Sequence, residues 1–177
     1  MLSTNRRTNF RCLPLLVLIA CSLGCSHTIK LYSGERTPQQ LAYVYTHAST
    51  LAVRYMDDQH LSIHTSQAVL HLAPGRHKFV VGNWFADPSA AGYRTTWLLY
   101  EVLIDLEQGI SYVPWSSDPY SPGVKEVCFL AEPHDAPGAR IGTSAREDTR
   151  TPSQKAVKAA CGKLIDANEY TKKYGLP

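Results

Sequence analysis

Several signatures of enzymes are missing from this chain. It has no Gly-x-Ser-x-Gly elbow, no His-Glu-x-x-His helix and no glycine loop of the kind that cradles a phosphate. Motif grounds for a serine hydrolase, a zinc peptidase or a nucleotide enzyme are therefore lacking, and no cofactor is expected. Charge of one sign is scarce too. Three of the eighteen basic residues, Arg6, Arg7 and Arg11, precede residue 20, and beyond it fifteen basic face fifteen acidic residues. No basic run or aromatic-plus-lysine pattern remains, which argues against nucleic acid as a partner. No apolar stretch reaches the roughly 20 residues that a membrane-crossing helix needs.

What is present is concentrated at the start. Behind the three arginines, with no acidic residue among them, Leu13 to Ala20 form a short apolar run that ends in small residues and cysteine. This is the layout of a cleaved export leader. Leu18-Ile19-Ala20-Cys21 resembles the lipobox of bacterial lipoproteins. The resemblance implies that residues 1–20 are a signal peptide and that Cys21 becomes the first residue, diacylated on sulfur and acylated on its amine. Several acyl chains hold a membrane stably where one does not. Cys25, after Ser22-Leu23-Gly24, is the alternative site, with a poorer residue at the aliphatic position. Ser22 and Ser26 are not the aspartate that retains family members in the inner membrane, so the resemblance implies the periplasmic face of the outer membrane. Residues 21–40 read as the lipidated N-terminus and a tether.

Five cysteines then need accounting. Cys12 leaves with the leader, Cys21 or Cys25 takes lipid, and Cys128 and Cys161 remain in an oxidising compartment, where a disulfide is expected. Two buried small hydrophobes are the other reading. Neither thiol has metal-site spacing.

From Leu41 the chain alternates short β-branched and aromatic runs with turn formers, and residues 41–131 are expected to form an antiparallel β-sandwich. Strands are predicted at Leu41–Thr46, Leu51–Met56, Leu61–His64, Ala68–Leu72, Arg76–Trp84, Thr95–Leu106, Ile110–Trp115 and Val124–Leu130. In the longest, Leu98, Tyr100, Val102, Ile104 and Leu106 share one face, and Thr95, Trp97, Glu101 and Asp105 the other. Ile110–Trp115 should pair back on it as a hairpin. Met56-Asp57-Asp58 followed by Leu72-Ala73-Pro74-Gly75-Arg76-His77-Lys78-Phe79-Val80-Val81 resembles PEGA-like and carboxypeptidase-regulatory-like sandwich modules, with Asp58 in place of their usual glycine. The match covers about a quarter of the mature chain. Residues 132–150 read as a Pro/Gly-rich loop. Residues 151–174 read as a C-terminal helix, from a Thr151-Pro152-Ser153-Gln154 capping box and an apolar stripe of Val157, Ala160, Cys161, Leu164 and Ala167.

Candidate chemistry is sparse. His60, His64 and His71 could meet across strands, but they lack the spacing of a strong metal site and read as solvated strand-face residues. Glu101 and Asp105 share a face with Trp97, as in a sugar cleft, but the favoured reading is an exposed sheet face on which the tryptophan covers its neighbour. Trp84 and Phe85 are candidates for a partner contact, or for core packing. The expectation is a non-enzymatic envelope component, structural or partner-binding; the alternative is an inhibitor or immunity-type lipoprotein that blocks an envelope-targeting hydrolase.

Cys21→Ser should abolish incorporation of labelled fatty acid and release the protein from membranes. Labelling that persists there and disappears in Cys25→Ser would move the site.

Overall fold

The computed structural model describes residues 27–48, 50–61, 68–87, 94–120, 124–135, 153 and 155–174. Cys21, Cys25, His64 and the Thr151 capping box lie outside them. The described chain is mainly β. Its strands are β1 (His27–Leu31), β2 (Ala42–Tyr45), β3 (His47–Ala48), β4 (Leu51–Met56), β5 (Gln59–His60), β6 (Ala68–Leu72), β7 (Gly75–Asp87), β8 (Arg94–Leu106), β9 (Ile110–Trp115), β10 (Val127–Pro133) and β11 (Val157–Leu164), followed by the short helix α1 (Ala167–Tyr174).

All eleven strands belong to one mixed sheet with the order β1-β6-β2-β9-β10-β11-β8-β7-β4-β3, and β5 adds to β4. The β1–β6 and β2–β9 pairs are parallel, the rest antiparallel. The sheet curls. At one side β11 joins β10 through residues 157–162 and then β8 through Lys163 and Leu164. At the other, the chain bends at Thr46 from β2 into β3, and Val53 N–H donates to Thr46 O at 2.8 Å. Thr46 stitches this corner a second time, because its hydroxyl donates to Ala68 O and accepts from Ala68 N–H, each at 3.0 Å.

Alternation decides what the curl encloses. Tyr100, Val102, Ile104 and Leu106 of β8 are all buried, as their shared face requires, and meet Phe79 and Val81 of β7, Val53 of β4 and Phe129 of β10. The Phe79 and Phe129 rings, one from each half of the sheet, lie 5.3 Å apart. Each fully buried ring contributes about 1.5–3 kcal/mol. Turn chemistry matches the sequence where the backbone demands it: Asp57 and Asp58 both have positive φ, 48° and 65°, between β4 and β5, and Gly109 has φ 73° after β8.

Three expectations are corrected. The turn at Gly109 does not make a hairpin: β9 pairs with β2 and β10, so the chain crosses from one half of the sheet to the other. Alternation fixes which face a residue occupies and says nothing about its strand's neighbour. The tether of residues 21–40 is shorter than read, since His27–Leu31 is already hydrogen-bonded to β6. The helix of 151–174 is the third. Val157–Leu164 is a strand in which Val157 and Leu164 are 63% and 52% exposed, so the helical stripe is not a buried face. Eight residues of apolar periodicity fit two templates, and ladder bonds to β10 outweigh helix propensities of tenths of a kcal/mol. The helix itself starts at Ala167, where Asp166 Oδ1 accepts Asn168 N–H at 2.8 Å.

Cys128 and Cys161 are joined, directly opposite one another in the β10–β11 ladder, with Cα atoms 3.9 Å apart. Next to them, Gly162 is where β11 passes from β10 to β8. A Cβ there would lie 2.6 Å from both Glu101 O and Val102 Cγ2. Backbone cannot yield as a flexible side chain would. Gly162→Ala should therefore lower stability by about 1–3 kcal/mol, read as a shift in the denaturation midpoint, the cost of forcing an extra methyl into a packed interior.

Candidate functional site

The exposed face of β4, β7 and β8 carries the most distinctive chemistry among the described residues. Along β7, Phe79, Val81 and Asn83 point inward, and Lys78, Val80, Gly82 and Trp84 alternate onto the other face, where Val80 and Gly82 are covered and Trp84 is exposed. Along β8 the outer residues include Trp97, Glu101 and Leu103. The register places Trp84 directly opposite Trp97. Both indoles are partly exposed, at 43% and 41%.

Glycine explains how Trp97 lies. A Cβ on Gly82 would sit 2.7 Å from Trp97 Cε3, so the ring rests where Gly82 has no side chain. The Arg54 guanidinium stands 5.0 Å from the ring centroid, within cation–π range. The sequence singled out Trp84 and Phe85; the structure pairs Trp84 with Trp97 instead, and Phe85 takes the next register position, opposite Thr96. The core-packing alternative does not hold for Trp84. Gly82 in a strand interior was the available signal, because such a glycine often marks a close approach.

Further along this face, α1 is held by polar contacts. Asp58 Oδ2 accepts from Lys78 Nζ at 2.6 Å, and its Oδ1 accepts from the Tyr174 hydroxyl at 2.8 Å. Lys173 reaches both Asp58, at 3.6 Å, and Glu101, at 3.4 Å. The Tyr174 ring packs on Tyr55 at 4.5 Å. The Lys78 ammonium, then the Tyr174 hydroxyl, hold the Asp58 carboxyl down to about 2. Glu101 thus serves an ion pair, while Asp105 stands opposite Arg76.

Of the candidate histidines, the two described ones, His60 and His71, do not converge. His60 lies in β5 beside Tyr55, and His71 lies in β6 against Tyr43, in strands that do not pair. His134 stacks on Tyr43 with centroids 3.5 Å apart, and its Nδ1 is 2.8 Å from Ser111 Oγ. A serine so placed could be a nucleophile if substrate could reach it, but Ser111 is fully buried. Glu126 brings a carboxylate oxygen within 4.8 Å of the Cys128 and Cys161 sulfurs. Those sulfurs are bonded to each other and offer no thiolate. Asn83, buried in the core, has its side-chain amide 2.8 Å from Thr50 Oγ1, which is itself 2.6 Å from Pro119 O. One hydroxyl carries one proton. Thr50 spends it on the carbonyl, and the Asn83 NH₂ is best turned toward Thr50.

The Asp58 contacts carry a pH signature. A carboxyl depressed in the folded state adds stability above its ordinary value near 4 and loses it as pH falls toward about 2. Amide exchange in α1 should therefore accelerate across that window, before the core strands open. Asp58→Asn should show the fast exchange at neutral pH and flatten the dependence; an unchanged profile would remove Asp58 as the clamp.

The chain matches no protein-family model, and no curated protein or solved structure matches it either.

Proposed function

We propose that the protein is an outer-membrane lipoprotein, acylated at Cys21, whose β domain faces the periplasm and acts by binding an envelope partner rather than by catalysis. Leu18-Ile19-Ala20-Cys21 behind three arginines supports the anchor, and the serine after the cysteine supports the outer membrane. The observation that carries the binding reading is the Trp84–Trp97 pair. Two large, partly exposed rings in register on one sheet face offer an apolar patch to a partner, and tryptophan is enriched among residues that dominate interfaces. The anchor keeps this face in the compartment where such a partner would be met. Packing of Phe79 on Phe129 across the curl also supports counting the fold with two-layer sandwiches, modified by two parallel strand pairs.

The inhibitor reading has its own observation. An inhibitor needs a protruding side chain on a loop, and Tyr120, after β9, is 71% exposed. Two indoles on a sheet face suit a broad contact better than an active-site plug.

Affinity capture of the acylated protein from envelope extracts should retain a specific partner that Trp84→Ala with Trp97→Ala loses. Interface tryptophans of this kind cost about 2 kcal/mol or more on truncation, roughly thirtyfold in affinity. The double variant should keep its β fold, since neither ring belongs to the buried core, although Trp97→Ala gives up the contacts with Gly82 and Arg54. A partner kept by the double variant and lost by Tyr120→Ala would favour the inhibitor.

A further inference from the structure

Packing alone does little to hold β11. Within it only Gly162 is buried, and Val157 and Leu164 lie mostly in water. The helix that follows is tied to the sheet by Tyr174 on Asp58 and by Lys173 between Asp58 and Glu101, exposed contacts that are individually weak. The bond between Cys128 and Cys161 is therefore the firm hold on residues 157–174.

Its two sulfurs differ in access. Cys128 is completely buried, with Trp115 of β9 opposite it on one side and Cys161 on the other, whereas Cys161 is exposed. A thiolate displaces a disulfide sulfur in line with the bond, so attack on Cys161 comes from the side of β11 that faces away from β10. That side is open. Among the described residues β11 takes β8 as a ladder neighbour only at Lys163 and Leu164, and Leu103, which the same register would set beside Cys161, is 50% exposed. The Glu126 carboxylate lies within 4.8 Å of both sulfurs and would repel an incoming thiolate, but Lys158 Nζ stands 3.1 Å from it and offsets the charge.

We propose that Cys161 is a site of thiol–disulfide exchange and that its bond to Cys128 is a reducible latch on the segment from β11 to α1. A dithiol supplies the electrons. Its first thiolate bonds to Cys161 Sγ, the bond to Cys128 breaks, and Cys128 leaves as a thiolate with the bonding pair. The second thiolate of the reductant then attacks the reductant's own sulfur in the mixed disulfide, closing the reductant's disulfide and releasing Cys161 as a thiolate. The two protons of the dithiol end on Cys128 and Cys161. With the latch open, the β8 edge from Leu99 to Glu101 is covered only by the ladder at Lys163 and Leu164 and by Ile165 N–H on Leu99 O at 2.8 Å, and it can be bared. Exposed disulfides are the ones that exchange readily. Neither the membrane anchor nor the envelope partner is needed for this chemistry.

In the test, the oxidised full-length protein is treated in native buffer with glutathione or with dithiothreitol, then alkylated and mapped by peptide mass spectrometry. Glutathione is expected on Cys161, with Cys128 alkylated. Glutathione found on Cys128 instead, or a bond that opens only in denaturant, would overturn the exchange site. After dithiothreitol, amide exchange should quicken by about tenfold or more over Val157–Tyr174 while β6 and β7 stay protected. Unchanged exchange over residues 157–174 would show that the bond latches nothing, and protection lost throughout the sheet would show that it staples the whole domain; either result overturns the latch.

Discussion

The close crossing at Gly162 is the constraint on which the curl depends. The two halves of the sheet are linked through β11, which passes from one neighbour to the other within two residues, from Cys161 opposite Cys128 to Lys163 opposite Glu101. At the change of partner the chain runs against the β8 backbone with no room for a methyl group. The disulfide and the glycine therefore act on one joint. The first fixes β11 to β10, and the second lets it reach β8. Otherwise β11 is weakly held, since most of its residues are exposed and contribute little hydrophobic burial. Bridging residues 33 apart restricts the unfolded chain by about 3–4 kcal/mol in the chain-entropy account, which suits a strand that cannot secure itself by packing.

Legibility in the sequence followed the range of the signal. Alternation over Thr95–Leu106 gave the right inner face residue by residue, because a period of two is set by the backbone of that strand alone. The turns at Asp57-Asp58 and Gly109 were legible for the same local reason. Pairing was not. Whether Ile110–Trp115 sits beside β8 or between β2 and β10 depends on contacts far along the chain, and both arrangements bury the same side chains. The stretch Val157–Leu164 failed differently: residues at i, i+3, i+4 and i+7 satisfy a helix, yet Cys161 was also half of a disulfide pair expected on chemical grounds. A cysteine obliged to meet a strand residue is compatible with either conformation, so the correct pairing gave no protection against the wrong element. Trp84 was visible as a candidate, whereas its companion Trp97 was read as covering a neighbour, and only the register shows the two side by side.

The turn at Asp57-Asp58 shows a local cost offset by distant contacts. At φ 65° a glycine in place of Asp58 would relieve the backbone. Aspartate is tolerated there because its short polar side chain can find partners. Here they come from three directions. Asp57 accepts the Lys78 N–H at 2.9 Å and lies 2.8 Å from His77 Nδ1, while Asp58 takes Lys78 Nζ and the Tyr174 hydroxyl. A glycine would ease the turn and leave α1 without its anchor. The departure from the sequence pattern and the docking of the helix are thus one arrangement.

That docking shapes what the outer face offers. α1 is polar in sequence and is held on the sheet by hydrogen bonds and ion pairs that share two carboxylates, Asp58 and Glu101, with the Tyr174 ring on Tyr55. Exposed ion pairs of this sort are individually weak, and their geometry holds because several converge on the same oxygens. They cover the Lys78–Glu101 part of the β7–β8 surface. The Trp84–Trp97 part has no comparable cover among the described residues, only the guanidinium of Arg54 beside one ring. A sheet face needs apolar area in water only where something else is meant to bury it. The division of one surface into a polar, helix-capped half and an aromatic half is the feature on which the proposed binding role of the two tryptophans rests.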